Sequence, residues 1–348
     1  MTIKYIDWKV LIPRSIVVAL AVFILVLPIF NDSYTTLSMI ILSGVWAMAA
    51  MGFTLILRTG QFSLGQTAFM AIGGYTSAIL TVKLGWPFWP SFFLAGVVSG
   101  IAALLIGTVV LRVGGIYFSI ITLSFGEIIR ILAQQLDDLT NGARGLITPS
   151  PEPIIMGGLE IDFYASVVPY YYFLAALVAI TAWVFWQIDR GRLGGTFYSM
   201  AANQILAEHQ GIYLMKYRVI AFTVAGVFTG FAGAFYAHFL EIITPNMLGL
   251  MESIQVMIMS IVGGVSSLVA GPMVGAGLLK VLSAYLLKLP VFGIRDLVFG
   301  GAVVLILVFF PKGSGLVDLW TKFWKKIFKE IDLYDAMKEI RRICHFWN

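Results

Sequence analysis

Apolar residues run through this chain in long stretches, and polar residues gather in the gaps between them. A helix that crosses a bilayer needs about 20 mainly apolar residues. Ten stretches meet or approach that length: 15–30, 34–57, 63–82, 90–111, 116–136, 166–188, 217–240, 252–270, 272–289 and 294–310. The pattern predicts an all-α membrane protein, a polytopic helical bundle of eight to ten spans. The third, fifth, eighth and ninth stretches are rich in Gly, Ser and Thr, which predicts broken or partly spanning helices. The alternating ten-residue segments of a membrane β-barrel do not occur. The first stretch has a basic flank (Lys4, Lys9, Arg14) and a short apolar run, as a secretory leader does. Asn31-Asp32-Ser33-Tyr34 is a poor cleavage site, so a retained helix is expected.

Three polar or mixed regions interrupt the pattern. Residues 137–165 carry Asp137-Asp138, Asn141-Gly142 and Pro149, Pro151 and Pro153, so a turn-rich, non-helical loop is expected. Residues 189–216 hold an Ala-rich helical core, Met200 to Glu208, closed by Gly211. From Leu316 onward, Leu319, Trp320, Phe323, Trp324, Ile327, Phe328, Ile331 and Tyr334 recur at spacings of three and four, with Lys322, Lys325, Lys326 and Lys329 on the other side. That tail predicts an amphipathic helix, lying in the membrane interface against lipid or docked on the protein's own cytoplasmic face. The organisation is thus a membrane domain, 1–315, with an embedded loop at 189–216, and a C-terminal amphipathic helix at 316–348.

Composition sharpens the class. The chain is 59% hydrophobic and 12% charged, with mean hydropathy +0.92. Soluble domains carry about 25% charged residues, so a soluble enzyme, a disordered chain and a disulfide scaffold are excluded. The single cysteine, Cys344, cannot form an intrachain disulfide. The net charge of +5 is explained by topology and needs no nucleic-acid partner. With the N-terminus cytoplasmic, inside segments hold 17 Lys and Arg and outside loops hold 4, namely Lys83, Arg144, Lys288 and Arg295. Positive charge favours the cytoplasmic side, so both termini are expected there.

The chemistry of enzymes is missing. No P-loop occurs, His209, His238 and His345 have no metal-ligand spacing, and no hydrolase signature is present. No cofactor or metal is expected. Charged groups at membrane depth are costly and are usually paired or functional. Glu127 and Arg130 stand at i, i+3 and can pair, beside a small or polar stripe of Ser119, Thr122 and Gly126. Such a stripe lines a path or lets another helix approach closely. In 58–75, four glycines break the helix, and Gln61, Ser63, Gln66 and Thr67 are expected to satisfy the freed backbone groups. A broken helix beside the pathway and close packing by small residues both fit this stretch. Pathway candidates are therefore Gln61, Ser63, Gln66, Ser119, Thr122, Glu127 and Arg130. A short match between Gly60-Gln61-Phe62-Ser63-Leu64 and Gly264-Val265-Ser266-Ser267-Leu268, with Gly73 aligned to Gly277, hints at an internal duplication.

These stretches resemble a known family. Residues 61–75 look like its G-x-x-S-L-G-x-A-A-F-x-x-I-G-A-Y segment, and 112–130 closely match R-G-I-Y-F-A-I-x-T-L-x-F-G-E-I-x-R. Residues 138–146 resemble its T-G-G-x-x-G-L loop, and Gly263 to Leu268 and Phe310 to Gly313 fit as well. The family is the inner-membrane permease of high-affinity branched-chain amino acid ABC importers, of the M type. The resemblance covers roughly 38–315. It implies an H-type permease partner, two ATP-binding subunits and a periplasmic solute-binding protein. It also implies a cytoplasmic coupling helix in 197–212, with Ala201, Ala202, Asn203, Gln204, Leu206, Glu208 and Gly211 at the ATPase. Family members usually have acidic residues where this chain has Asn203 and Gln204, which puts a salt bridge there in doubt. The alternative reading, a self-contained secondary transporter or channel, would leave the helical 189–216 loop without a role.

Overall fold

A bilayer offers no hydrogen-bond partners, so a spanning backbone must satisfy its own polar groups. The long apolar runs accordingly become helices. The computed structural model describes residues 33–156, 159–164 and 166–286, together with Pro28, Leu297, Gly300 and Gly301. The expected spans at 15–30 and 294–310 and the amphipathic tail lie outside the described residues. Within them run α1 (Tyr34–Leu57), α2 (Gln66–Val82), α3 (Phe88–Val110), α4 (Ile116–Gln135), α5 (Asp137–Thr140), α6 (Val168–Arg190), α7 (Arg192–Ala202), α8 (Gln204–His209), α9 (Leu214–Leu240), α10 (Leu250–Gly263) and α11 (Ala270–Leu286). Six helical stretches here are long and apolar enough to cross a membrane, and the chain is an all-α polytopic membrane protein.

Helix α9 is the hub, packed against α1, α2 and α3. Glycine makes this possible. A Cβ on Gly73 would overlap the Gly230 carbonyl, and one on Gly233 would overlap the Met70 carbonyl, so α2 and α9 cross backbone to backbone. Small residues allow this approach where lipid and side chains are equally apolar. Ser99 of α3 seals the crossing, donating to the Gly226 carbonyl at 2.8 Å and the Phe69 carbonyl at 3.1 Å. Helix α1 then carries α6 on one side and α11 on another.

Helix α2 starts deep in the bundle. Gln66, its first residue, accepts from Thr229 at 3.1 Å and lies beside Gly52 of α1 and the Ala225 backbone of α9. Ala225 is 11 residues into α9, about 16 Å along its axis at 1.5 Å per residue. The chain climbs that distance through 58–65, a turn followed by five residues without helix. The third span therefore begins three residues later than the pattern predicts. Helix α10 starts at a similar depth, because Thr67 of α2 donates to the Gly249 carbonyl at 3.3 Å and pairs with the Ser253 hydroxyl.

The two suspected repeats behave alike in part. Each follows a helix, carries a glycine at positive φ (Gly60 at 77°, Gly264 at 113°) and leads into a 17-residue helix, α2 or α11. The likeness stops at the aligned glycines: Gly73 is at a crossing, whereas a Cβ on Gly277 would meet nothing within 4 Å. The turn at Gly264 also ends α10 at Gly263, so the expected 252–270 helix stops early.

The 137–165 loop is more ordered than a turn series. Asp137 and Asp138 open the one-turn helix α5, where acidic side chains suit a helix N-terminus. Strand β1 (Leu146–Ile147) pairs antiparallel with β4 (Ile242–Ile243), and β2 (Ile154–Met156) with β3 (Leu159–Ile161). His238 anchors this end: its Nδ1 donates to the Pro149 carbonyl at 2.7 Å, which leaves Nε2 to accept from Ser77 at 2.9 Å.

Candidate functional site

The broken segment is held by a neighbouring helix. Ser119 of α4 donates to the Phe62 carbonyl at 2.6 Å, and the Leu64 N–H donates to Thr122 Oγ1 at 3.1 Å. Gly65 lies flat on α4, where an added Cβ would stand 2.8 Å from the Thr122 carbonyl oxygen. Ser119 and Thr122 share a face because they are three residues apart. The freed backbone is thus satisfied largely from α4, with Ser63 Oγ accepting from the Gly65 N–H at 3.4 Å. Gln61 and Gln66 were expected to do this work and instead bond to side chains of α9. Gln66 meets Thr229, and the Gln61 amide oxygen accepts from Arg218 at 3.1 and 3.2 Å. All of Gln61, Ser63, Gln66 and Thr122 are buried.

Glu127 and Arg130 do pair, Nε to Oε1 at 2.9 Å. The pair sits toward the β1–β4 end of α4 and is part of a larger polar group. Arg130 Nη1 donates to Asn246 Oδ1 at 3.3 Å, and Gln134 donates to the same oxygen at 3.1 Å. The turn Pro245–Leu248, just before α10, is thereby tied to α4. The side chains remain 37% and 23% exposed, so neither charge is sealed inside the bundle. Helix α4 as a whole is open: only Phe118, Thr122 and Ala133 are buried, while Tyr117, Ile120, Ile128 and Ile131 are exposed.

The helix expected through 200–208 is two helices. Asn203 adopts extended backbone (φ −160°, ψ 109°), and its side chain accepts from the Leu206 N–H at 3.1 Å. Asparagine is among the best N-caps, so it ends α7 and starts α8. Gly211 at φ 81° closes α8, with the Ile212 N–H reaching the Ala207 carbonyl at 3.1 Å and the Gly211 N–H the Glu208 carbonyl at 2.9 Å. That pair of bonds is the common glycine C-terminal motif. The inner face of the elbow buries Phe197, Met200 and Ala207. Its outer face exposes Ala201, Ala202, Asn203, Gln204 and Glu208, with Tyr198 68%, Ile205 69% and Leu206 56% exposed.

The elbow touches the break directly. A Cβ on Gly60 would come within 3.3 Å of Gln204 and 3.5 Å of Ala201. Arg58, at the start of the break, donates to the Ser266 carbonyl in the matching segment before α11 and lies 4.0 Å from Asp189 at the end of α6. A cavity of about 690 Å3 opens beside α8, lined by Leu111, Arg112, Glu208, Gly211 to Met215 and Arg218. Arg218 is 8% exposed. In the sequence it counts only as a basic residue at a span's edge. Its signal is its position, four residues inside a mainly apolar helix and one turn deeper than a basic residue at the very end would be. No group of His, Cys, Asp and Glu that could hold a metal occurs among the described residues.

This geometry has counterparts in sequence. Residues 35–308 match a family described as the branched-chain amino acid transport system / permease component. The chain is 29% identical over 328 residues to the High-affinity branched-chain amino acid transport system permease protein LivM of Escherichia coli (strain K12), covering 88% of this chain and 76% of the relative. It is 30% identical over 289 residues to the protein of the same name from Salmonella typhimurium (strain LT2), covering 77% and 67%. The Autoinducer 2 import system permease protein LsrC of Escherichia coli O157:H7 is 28% identical over 327 residues, covering 85% and 86%. No solved structure matches the chain.

Proposed function

The chain belongs to the branched-chain amino acid permease family, and from that premise we propose that its α7–α8 elbow is where a separate ATP-hydrolysing subunit docks. The protein is a transmembrane permease subunit of an ATP-binding cassette importer. Its solute is a branched-chain amino acid or a closely related small molecule. In this reading it works with a second permease, two ATP-binding subunits and a solute-binding protein outside the membrane.

One observation carries the docking assignment. The elbow is fixed to the bundle by Phe197, Met200 and Ala207, yet exposes Tyr198, Ile205 and Leu206 on its far side. Large apolar side chains held out on a polar surface element are the usual anchors of a protein interface. Ala201, Ala202, Asn203, Gln204, Glu208 and Gly211 make up the rest of that surface. The contact at Gly60 supplies the route inward. A push on α7 and α8 bears on the break at 58–65, and Ser119 and Thr122 pass it to α4. Helix α4, with the face that no described element covers, then lines the path or meets the second permease. Gln61, Ser63 and Gln66 shape the moving segment, and Glu127 and Arg130 steady α4 at the far end.

Rigid contact is needed to transmit force, so bulk at the interface is the test. Ala202→Trp should release the ATPase or uncouple hydrolysis from uptake, measured by co-purification and by solute-stimulated hydrolysis. Ala143→Trp, at an exposed position near the opposite end, should do neither. Normal recovery and normal stimulation with Ala202→Trp, repeated at Ala201 and Leu206, would remove the docking assignment. Orientation is checked separately: cysteines at Asn141 and Ala202 should label from opposite sides, with Ala202 cytoplasmic.

A further inference from the structure

We infer that the cavity beside α8 is a binding site for a free aliphatic α-amino acid on the side where the ATPase docks, and that its occupancy restrains the importer. The inference rests on the permease reading only for the choice of amino acid as probe. The observation behind it is Arg218. This side chain is 8% exposed, and it makes no ion pair among the described residues. A buried cation without a close carboxylate is costly; Glu208 acts on it only through space, and its hydrogen-bond partner among the described residues, Gln61, is neutral. Gln61 occupies two of the five guanidinium donors. The others are left for an acceptor, and a carboxylate fits them in the two-pronged geometry that arginine favours.

The rest of the lining completes the match. Glu208 is the one acidic residue among the lining side chains, and it can receive an ammonium group. Leu111, Leu214 and Met215 offer apolar surface to an aliphatic side chain. Arg112, a second cation in the lining, donates to the Thr108 carbonyl, so Arg218, Glu208 and the apolar wall are left to meet the three parts of a zwitterionic aliphatic amino acid. The volume, about 690 Å3, falls in the range of about 300–1,000 Å3 typical of small-molecule sites.

The site joins two moving parts. Arg218 holds Gln61, which belongs to the 58–65 break, and Glu208 belongs to the docking helix. A ligand that engages both pins the break to α8. Accumulated amino acid would then slow further import by holding the coupling elbow in one position.

The test uses the assembled permease–ATPase complex in lipid nanodiscs, without the solute-binding protein, titrated with L-leucine. Saturable binding is expected. L-Leucinamide, which lacks the carboxylate, and 4-methylpentanoate, which lacks the ammonium, should each bind at least tenfold more weakly. Arg218→Lys keeps the charge but not the fork and should weaken leucine binding at least tenfold. Met215→Trp fills the cavity and should abolish it. In proteoliposomes holding the same complex, with the solute-binding protein and solute added on the opposite side, leucine supplied on the α8 side should slow initial uptake several-fold in the wild type and less in Arg218→Lys. Absence of saturable binding, or binding that neither variant alters, overturns the inference. So does release of the ATPase by Arg218→Lys with leucine binding intact, since the carboxylate would then be the ATPase's own. A complex that imports nothing refutes the permease reading, and the leucine titration is still read by itself. Import of some other solute, with leucine saturating this cavity, supports the inference and changes only the solute of the permease.

Discussion

Helices α9 and α4 have nearly the same apolarity and opposite surroundings. Their most apolar windows have mean hydropathy 1.8 and 1.7, yet 61% of the first is buried within the chain and only 22% of the second. Helix α9 is enclosed because glycines at 226, 230 and 233 let α2 and α3 close on it. Helix α4 is held along one edge, through Ser119, Thr122, Phe118 and Arg130, and turns the remainder outward. Apolarity says that a helix belongs in the membrane. It does not say whether its neighbour is this chain, another chain or lipid, because those surroundings are equally apolar. What separates the two helices is where the small residues lie relative to a partner.

Substitution of matched glycines is the strongest way to break this contrast. Gly73→Val would drive side-chain atoms into the Gly230 backbone, where overpacking costs ~1–3 kcal/mol or more. Most of the folded chain should be lost, read as yield of monodisperse protein in detergent. A Cβ at Gly126 on α4 would meet nothing within 4 Å, so Gly126→Leu should leave the yield unchanged, while weakening co-purification of the second permease. Equal losses of yield from both would show that α4 is as enclosed as α9.

The ion pair gives a smaller effect. Glu127→Ala or Arg130→Ala leaves one charge without its partner and should lower transport several-fold. The double change Glu127→Gln with Arg130→Met leaves no lone charge. It should recover assembly, and uptake by that double variant then separates steadying of α4 from lining of the path. Smaller still are the two hydroxyls. Ser119→Ala and Thr122→Val each remove a hydrogen bond to the break, worth about 1 kcal/mol. Together they should slow coupled uptake more than they lower the melting temperature, because the segment they release is the one that must move. Least is Asn203→Ala, which removes the cap of α8 at a cost of about 1 kcal/mol. It should loosen the elbow, seen as faster amide exchange at 204–207 with the bundle unaffected.

Much of the fold was legible from the pattern. The limits of α1 agree with the predicted 34–57, and those of α4 fall within one residue of 116–136. The family resemblance also held. What escaped had physical reasons. The late start of α2 depends on Gln66 bonding to Thr229, a partner far along the chain. The break at Asn203 was visible in principle, since asparagine in an alanine-rich run is a cap signal, but the run of helix formers outweighed it. The helical turn at Asp137 was hidden by the glycine and prolines that follow. Gln61 drew attention as a polar residue in a broken helix, and its partner Arg218 did not, because an arginine at a span's edge is ordinary. Only three-dimensional packing shows that it is buried against Gln61.

The α2–α9 crossing has a consequence for how the chain is made. At 17 residues, α2 is about 25 Å long, short of a hydrocarbon core of about 30 Å. Its glycine face finds its partner on α9 and its polar first turn finds partners on α9 and α10, and the ribosome must add all of α3 to α8 before the first of these exists. At 5–20 residues per second this interval is on the order of 10 s. For that time α2 is an incomplete span beside the translocation channel, its Gln66 without Thr229 and its backbone without Gly230. Biogenesis of this permease therefore requires that an early, poorly inserting helix be kept in place until a late one arrives to close over it.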